Sequence, residues 1–411
     1  MKIQRTISPA VAPLDWRDLL YACAGSLNGQ GALSALESEV REYFGVRHAF
    51  LVSSGKAALT LILLGLKDLS SRDEVIIPAY TCYSVPSSVI KSGLKLSPCD
   101  INASTFDFDS ASLDRMVTER TLCVVPCHLF GISAEMDRIK RICGERGAYL
   151  VEDAAQAMGG TYKGRKLGTI GDVGLFSLGR GKNITCGSGG IIVTNSDRIA
   201  GAIRAHYEKL ECPGLLETLA EWLRLVFMAV FIHPALYWFP AGLPFLKLGE
   251  TVFHRDFPTR RLSGMQAASL HDWKKRLEQS NKLRTANGRY FEEQLGATRA
   301  LGREEPVPYL RFPFLAGSKQ RRDWIFARSN EQGLGVSLMY PKAVHQIEEI
   351  QADFRGMTFP TAENVADRLL ALPTHSYLSG TDREAICELF KGIGDPVFTR
   401  EHEAGVGQSC R

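Results

Sequence analysis

Two residues in the middle of the chain have types and surroundings that suit cofactor chemistry. Lys182 lies in the segment FSLGRGKNITCGSGG, where small neighbours would let a planar group approach, and its amine could form a Schiff base with a carbonyl. Asp153 ends the apolar run AYLVED, and its carboxylate could pair with a protonated pyridine nitrogen. The ordinary alternatives are a solvated surface lysine and an aspartate that caps a helix.

Two serine-containing segments predict a phosphate site. Ser54 and Gly55 lie between an apolar run and a helical pattern, and a helix N-terminus offers free N–H groups and the positive end of a dipole. Ser177 follows another apolar run and could add a hydroxyl. An ordinary helix cap is the alternative for Ser54. A phosphate cradle, a carboxylate and a lysine together are the groups that pyridoxal 5'-phosphate needs.

Short apolar runs that alternate with helical patterns must position these side chains. Such alternation, with nearly continuous apolar strands, favours an α/β fold with a mostly parallel sheet, whose sites lie at the carboxyl ends of strands. A helix is predicted over 56–66, a long helix over 263–295, and a smaller α+β unit over 306–390. The predicted strands are 48–54, 74–80, 121–130, 148–155, 171–179 and 189–195.

Composition excludes several classes of protein. The chain has 411 residues, 45% hydrophobic and 23% charged, which is ordinary for a globular protein. A net charge of +4 from 49 basic and 45 acidic residues gives no electrostatic footprint for nucleic acid. The ten cysteines are scattered without a CxxC or metal-ligand spacing, so we predict neither disulfides nor a metal site. Without a secretory pattern at the start, these features predict a cytoplasmic protein.

Several long segments give the chain a resemblance to one family. They are FGVRHAFLVSSGKAAL, DEVIIPAYT, VEDAAQAMGGTYKGRKLGTIGDVGLFSLGRGKNITCGSGGIIVTN and FPTAENVADRLLALPTH, within residues 35–205 and 259–390. In them the chain resembles the DegT/DnrJ/EryC1/StrS family of pyridoxal-phosphate-dependent sugar aminotransferases. The resemblance implies an aspartate-aminotransferase-like fold, with a mixed seven-stranded sheet in the large domain, and a homodimer that shares its active sites. We expect a cofactor-binding domain at 1–205, a hydrophobic insertion at 206–258 and a small domain at 259–411.

The resemblance also implies roles for individual residues. Lys182 falls on the family's Schiff-base lysine, which also moves the proton, and Asp153 on the partner of the pyridine nitrogen. The implied reaction is amino transfer, with glutamate as donor, to a keto-sugar linked to a nucleotide or a lipid, in polysaccharide or secondary metabolism. Dehydration or condensation on the same scaffold, and a non-catalytic membrane-docked regulator, are the alternatives. Gln156 falls near the cofactor ring, and the phosphate contacts fall on Ser54, Gly55 and Ser177.

Some positions depart from the family's pattern. Lys56 replaces a threonine and would pair with the phosphate or face water, and Cys82 stands where an aromatic residue covers the ring, so Tyr83 is predicted as the ring neighbour. Thr259 replaces an asparagine that reaches the partner's phosphate, a contact that Arg260 or Arg261 could supply instead. Three further residues are predicted to line the substrate pocket, with a purely structural role as the alternative: Tyr340, His345 and His128.

The uncharged run LVFMAVFIHPALYWFPAGLPFL, residues 225–246, does not fit an ordinary soluble protein. Its length would span a bilayer, but Pro234, Pro240 and Pro244 break it into short pieces. Aromatic residues and flanking cations suit a membrane interface, which would place the protein on the inner face of the cytoplasmic membrane through residues 222–248. The alternative is packing on the partner subunit or over the site.

Overall fold

A computed structural model describes residues 4–12, 14–25, 28–243, 246, 251–296 and 305–391. Most of its strands are short and almost fully buried, as expected for a sheet with helices on both faces. The strands are β1 His48–Val52, β2 Glu74–Pro78, β3 Lys95–Cys99, β4 Thr121–Val124, β5 Tyr149–Asp153, β6 Thr161–Tyr162, β7 Arg165–Lys166, β8 Val173–Ser177, β9 Gly190–Thr194, β10 Arg311–Leu315 and β11 Leu369–Pro373.

The main sheet has seven strands in the order β1-β9-β8-β5-β4-β2-β3. Only β9 runs antiparallel to its neighbours, so the sheet is mixed and mostly parallel, as predicted. Strand β3 was missed because its sequence KLSPC is half polar and contains a proline. The predicted strand over 121–130 ends at Val124, and the chain then turns toward the site.

Helices surround the sheet and carry most of the remaining chain. The long helix predicted over 263–295 is two helices, because the chain turns at Asp272, whose φ is 53°. The helices are α1 Trp16–Gly25, α2 Gly29–Phe44, α3 Gly55–Asp68, α4 Ser84–Lys91, α5 Ser110–Met116, α6 Met136–Arg146, α7 Asp197–Tyr207, α8 Leu215–Phe231, α9 Trp238–Ala241, α10 Gly264–Ala268, α11 Trp273–Gln294, α12 Lys319–Gln332, α13 Pro360–Arg368 and α14 Gly380–Phe390.

The C-terminal part forms a second, small unit that packs directly on the first. Strands β10 and β11 pair antiparallel, and one hydrophobic cluster continues from Ile77 in β2 to Leu370 in β11. Tyr80, just after β2, donates from its hydroxyl to the backbone oxygen of Tyr340 at 3.3 Å. This packing brings the segment around residue 340 to the carboxyl ends of the sheet strands.

The described part of the uncharged run, residues 225–243 and 246, contains the end of α8, a turn and α9, and Pro244 lies outside the described residues. Helix α8 buries only Leu225, although most of its residues are apolar. No helix in the described ranges is both long enough and apolar enough to cross a membrane. Exposed apolar side chains of α8 recur every three or four residues, at Leu216, Leu219, Leu223, Phe227 and Val230.

Candidate active site

A cavity of about 230 Å³ opens at the carboxyl ends of β5 and β8 and at the N-terminus of α3. We call it the cofactor cavity. Most of the residues predicted from the sequence line it: Ser54, Gly55, Lys56, Cys82, His128, Asp153, Gln156, Ser177 and Lys182. Sequence analysis missed other lining residues, including Thr81, Ser84 and Ser88, which carry no recognisable motif.

One end of the cofactor cavity suits a phosphate. Ser54 caps α3, and its Oγ accepts from the backbone N–H of Ala57 at 3.1 Å. The first N–H groups of a helix have no partner inside it, so those after Ser54 are available to an anion. A glycine suits this position, because a Cβ on residue 55 would lie 3.1 Å from the Cβ of Ser177, closer than side chains usually pack. The two serines are thereby held on either side of the helix N-terminus.

Lys56 lines the same end of the cavity. Its Nζ lies 4.5 Å from the centre of the Phe257 ring, and the Nζ of Lys91 lies 5.0 Å from that ring. Burial lowers the pKa of Lys56, Cys82 opposes this shift, and the positive charge of Lys91 adds a smaller lowering. A desolvated cation at a phosphate-binding end is consistent with the predicted phosphate contact.

The two adjacent carboxylates at the end of β5 point to opposite faces of the strand. Glu152 is completely buried and accepts from the backbone N–H groups of Gly168 at 2.8 Å and Gly171 at 2.5 Å. Asp153 lines the cavity, and its Oδ1 accepts from the N–H of Ala155 at 3.0 Å. Burial raises the pKa of Asp153, opposed by that hydrogen bond and then by the charge of Lys182. A protonated ring nitrogen opposite Asp153 would supply a positive charge that stabilises the buried carboxylate.

Lys182 follows β8 in a tight loop. Its N–H donates to the oxygen of Gly179 at 3.2 Å, and the amide of Asn183 donates to Asn281 at 3.1 Å, which ties the loop to α11. Burial lowers the pKa of Lys182, Cys82 and Asp153 oppose this, and the charge of Arg311 lowers it further. Lowering the pKa of the amine increases its neutral fraction, which is the nucleophilic and proton-accepting form.

The structure corrects the predicted ring neighbour. Cys82 lines the cofactor cavity, whereas Tyr83 does not. The hydroxyl of Tyr83 donates to the oxygen of Lys342 at 3.2 Å and accepts from its N–H at 3.1 Å, so it fastens α4 to the small unit. Both residues lie in the turn just before α4, where their side chains point to different surroundings.

The three residues predicted to line a substrate pocket have different surroundings. Tyr340 is buried, and its hydroxyl accepts from Nε2 of Gln156 at 2.8 Å, next to the cavity. His128 lines the cavity, but its ring is held by Glu152 at 3.1 Å and by the N–H of Ala134 at 3.1 Å. His345 lies outside the cofactor cavity: it pairs with Glu363 at 3.0 Å and lines a second cavity, so its predicted contact with the substrate stays a prediction.

The two arginines suggested for the partner's phosphate are engaged within their own chain. The side chain of Arg260 pairs with Glu217, and its N–H donates to Oγ of Ser53 at 3.2 Å. Arg261 donates to the oxygen of Glu208 at 2.9 Å and lies over the Tyr207 ring, 4.9 Å from its centre. In this arrangement both arginines fix the segment after Thr259 beside the phosphate end of the cavity.

Comparisons with known proteins agree with this site. The sequence profile of the DegT/DnrJ/EryC1/StrS aminotransferase family matches residues 24–225 and 249–391. The spore coat polysaccharide biosynthesis protein SpsC of Bacillus subtilis (strain 168) is 29% identical over 382 residues, which cover 90% of this chain and 91% of that protein. GDP-perosamine synthase of Caulobacter vibrioides is 38% identical over 168 residues, 41% of this chain and 45% of that protein.

The fold has solved relatives too. Helicobacter pylori PseC, described as an aminotransferase involved in the biosynthesis of pseudoaminic acid, has a TM-score of 0.74 and 18% identity, over 94% of this chain and 98% of that one. The predicted fold class, the aminotransferase class and the pyridoxal phosphate cofactor are thus confirmed. The profile leaves residues 226–248 unmatched, almost the whole of the uncharged run. The chain belongs to the DegT/DnrJ/EryC1/StrS aminotransferase family.

Proposed function

We propose that the protein transfers an amino group from glutamate to a keto-sugar linked to a nucleotide or a lipid, with pyridoxal phosphate as cofactor. One observation carries the proposal: Lys182, Asp153 and the N-terminus of α3 meet in one cavity, in the arrangement that this cofactor needs. The names of relatives support a nucleotide-linked substrate, since one is a GDP-perosamine synthase and another a dTDP-3-amino-3,4,6-trideoxy-alpha-D-glucose transaminase.

Each residue of the cavity has a role in this proposal. When bound, pyridoxal phosphate supplies an electron sink for the carbon next to the reacting amine. Ser54, Ser177 and the N–H groups of α3 bind its phosphate, and Asp153 holds a proton at the ring nitrogen. Lys182 Nζ, in its neutral form, takes the proton from the substrate carbon and returns it. Gln156, buried and fixed by Tyr340, would contact the ring when the cofactor is bound.

A two-stage assay tests the proposal. The cofactor-loaded protein is mixed with glutamate, 2-oxoglutarate release is measured, and keto-sugar nucleotides and lipid-linked keto-sugars are then offered as acceptors. We expect stoichiometric 2-oxoglutarate and an amino-sugar product, both lost in Lys182→Ala. A dehydrated or condensed product without 2-oxoglutarate would refute amino transfer. Failure to bind the cofactor at all would favour the non-catalytic alternative.

We also propose that the apolar surface of α1 and α8 packs on a second copy of the chain. The exposed side chains of α8 form one stripe, and the neighbouring α1 adds Trp16 and Leu20. Such a stripe is typical of a helix that packs on another protein surface. Helix α8 has a single cation, Arg224, beside Glu217 and Glu221, so it offers no cluster of cations to anionic lipid headgroups. In this view the predicted insertion 206–258 serves assembly, although the family profile covers all of it except residues 226–248.

The assembly proposal is tested with Leu219→Glu, on a residue that is 53% exposed on α8. Its matched control is Leu283→Glu, at a 46% exposed leucine on α11. Light scattering should give a dimer for the wild type and the control and a monomer for Leu219→Glu. Flotation with phosphatidylglycerol vesicles is run in parallel. Vesicle binding that Leu219→Glu abolishes, with the mass unchanged, would overturn the assembly proposal in favour of membrane contact.

A further inference from the structure

A segment near the start of the chain packs against the loop that carries Lys182. We call residues 5–12 the N-terminal strap and residues 179–187, which follow β8, the Lys182 loop. Gly181 in this loop has a φ of 71°, and a Cβ on it would lie 2.9 Å from the Cβ of Ala10. The strap is therefore in close contact with the residue directly before the reacting lysine.

Glycines of the small unit receive the first half of the strap. A Cβ on Gly333 would lie 2.5 Å from the oxygen of Arg5, and one on Gly335 would lie 2.7 Å from the oxygen of Ile7. The N–H of Ile7 donates to the oxygen of Gly333 at 2.8 Å, and the side chain of Ile7 is buried. The strap is thus a packed part of the fold.

A completely buried arginine of α11 clamps the second half of the strap. Nη2 of Arg284 donates to the oxygen of Val11 at 2.6 Å, and Nη1 donates to the oxygen of Leu310 at 2.6 Å. Burial lowers the pKa of Arg284 to about 9, and the charge of Arg311 adds to this effect. A buried cation held by neutral oxygens costs stability that an apolar side chain of similar volume would not, which favours a role in fixing particular backbone oxygens.

A buried histidine after β11 holds the strap at a second point. The N–H of Tyr377 donates to Nδ1 of His375 at 3.3 Å, so the ring proton lies on Nε2, which donates to the oxygen of Ser8 at 2.8 Å. Burial lowers the pKa of His375 to about 3, against the effect of this hydrogen bond, so the ring is neutral at pH 7. At the start of the strap, Arg5 donates two hydrogen bonds to the carboxylate of Asp382, at 2.5 and 2.7 Å.

The uncharged run supplies a further attachment. The N–H of Thr6 donates to the oxygen of Pro234 at 2.9 Å, and the phenol of Tyr237 hydrogen-bonds Ser8. Pro234 and Tyr237 belong to residues 226–248, which the family profile leaves unmatched. The strap therefore connects this unmatched segment with the Lys182 loop.

Helix α11 holds both the strap and the Lys182 loop. Oδ1 of Asn281 accepts from the amide of Asn183, the residue after Lys182, at 3.1 Å, and Arg284 lies three residues further along the helix. Residues three apart lie on the same face of a helix. The loop is therefore tied to α11 twice, directly through Asn281 and indirectly through Arg284 and the strap.

We propose that Arg284 and His375 are positioning residues for amino transfer, which act by holding the strap against the Lys182 loop. The proposal rests on the proposed function, in which Nζ of Lys182 takes a proton from the substrate carbon and returns it. Neither Arg284 nor His375 lines the cofactor cavity, so each acts through the strap. The proton transfer needs the amine at a fixed place beside the carbon, and a displacement of about 1 Å can slow an enzymatic step about 100-fold.

Hydrogen exchange and kinetics of the cofactor-loaded full chain test the proposal together. Arg284→Met should raise the exchange rate of backbone N–H groups in the strap and in residues 179–187 by about tenfold or more, the effect of losing a charge-assisted hydrogen bond. The maximal rate of 2-oxoglutarate release from glutamate should fall about 10- to 100-fold, with the half-saturating glutamate concentration within about twofold, because the cavity wall is unchanged. The pH at which the visible absorbance of the lysine-bound cofactor changes should also shift.

Arg322→Met is the matched control. Arg322 is a buried arginine of the small unit whose Nη1 donates to the oxygen of Ala366 in α13 at 2.8 Å. This variant should keep the exchange rate of residues 179–187 and the rate of 2-oxoglutarate release within about twofold of the wild type. Equal effects in Arg322→Met would overturn the proposal, and so would normal exchange of residues 179–187 in a slowed Arg284→Met protein.

The histidine clamp decides the question if Arg284→Met does not fold. His375→Leu should speed exchange in the Lys182 loop and slow 2-oxoglutarate release, whereas His375→Gln, whose amide can still donate to Ser8, should recover most of the rate. Equal losses in the two variants would overturn the proposal. Failure of the proposed function would appear differently, as the expected exchange pattern without any amino-sugar product.

Discussion

Glu152 and Asp153 are neighbouring carboxylates of β5, and we predict opposite effects on stability when each is replaced by its amide. Glu152→Gln removes a completely buried charge that accepts from Gly168, Ile170 and Gly171 and contacts the ring of His128. These bonds hold the turn that leads into β8, and β8 in turn leads to Lys182. Glu152 is thus a positioning residue, and its loss should first be seen in stability.

The size of the expected loss of stability follows from the hydrogen-bond partners of Glu152. An amide keeps one acceptor oxygen but directs N–H groups at donors that formerly faced a carboxylate. Hydrogen bonds to a charged group are worth about 1.5–3 kcal/mol each, and an orphaned buried donor costs about 1–3 kcal/mol. Allowing for partial relaxation, Glu152→Gln should lower the free energy of unfolding by about 3–5 kcal/mol.

Asp153→Asn is the matched control at the next residue. Burial raises the pKa of Asp153 above 3.8, so its ionised form destabilises the cofactor-free fold. The folded state binds the extra proton, so this penalty is absent below about pH 3.8, grows as the pH rises and is complete above the folded-state pKa. Asp153→Asn should therefore match or exceed the wild type in stability at pH 7, while it removes the charge that holds the ring proton.

Urea denaturation of the cofactor-free proteins, followed by tryptophan fluorescence, gives both free energies. Cofactor-free protein is used because a bound cofactor would stabilise the variants unequally. Amino transfer is measured separately on the loaded proteins at saturating cofactor. A stable Glu152→Gln protein would refute the positioning role, and an Asp153→Asn protein that is markedly destabilised but fully active would show that we have exchanged the two roles.

Three further changes test other parts of the site. Lys182→Ala should slow amino transfer by about 10²–10⁴-fold and remove the visible absorbance of the lysine-bound cofactor, with partial rescue by methylamine as the check that only the amine is missing. Gly55→Val should weaken cofactor binding by about tenfold in a fluorescence titration, because its Cβ would press on Ser177 and displace one phosphate contact; unchanged affinity would contradict this. Arg276→Met leaves the buried Asp18 unpaired and should cost about 3–5 kcal/mol in urea denaturation, which a second change to Asp18→Asn should largely restore.

The parts predicted from the sequence are those with strong local signals. The apolar runs predict most strands of the main sheet, because buried parallel strands consist almost entirely of hydrophobic residues. The position of Lys182 after β8 follows from its glycine-rich loop, and Ser54 before α3 follows from its capping role. These residues come to one cavity because the carboxyl ends of parallel strands share an edge of the sheet.

The parts that were missed depend on the direction of a side chain. Period-two alternation separates Glu152 from Asp153, and the family resemblance, rather than the alternation, assigned Asp153 to the cofactor. Tyr83 and His345 have suitable types, but the packing of the small unit points the first at Lys342 and pairs the second with Glu363.

The uncharged run is the clearest case of one sequence signal with two structural uses. Its uniform apolar character suggests a single role, either at a membrane or in packing. In the fold, α8 turns its stripe outward, while Tyr237, a few residues later, is half-buried and hydrogen-bonds Ser8 in the N-terminal segment. The same run thus includes part of a surface that we propose packs on a second subunit and a residue that packs within its own chain. Leu219→Glu, on the exposed stripe, should therefore break the dimer, while Leu283→Glu should leave it intact.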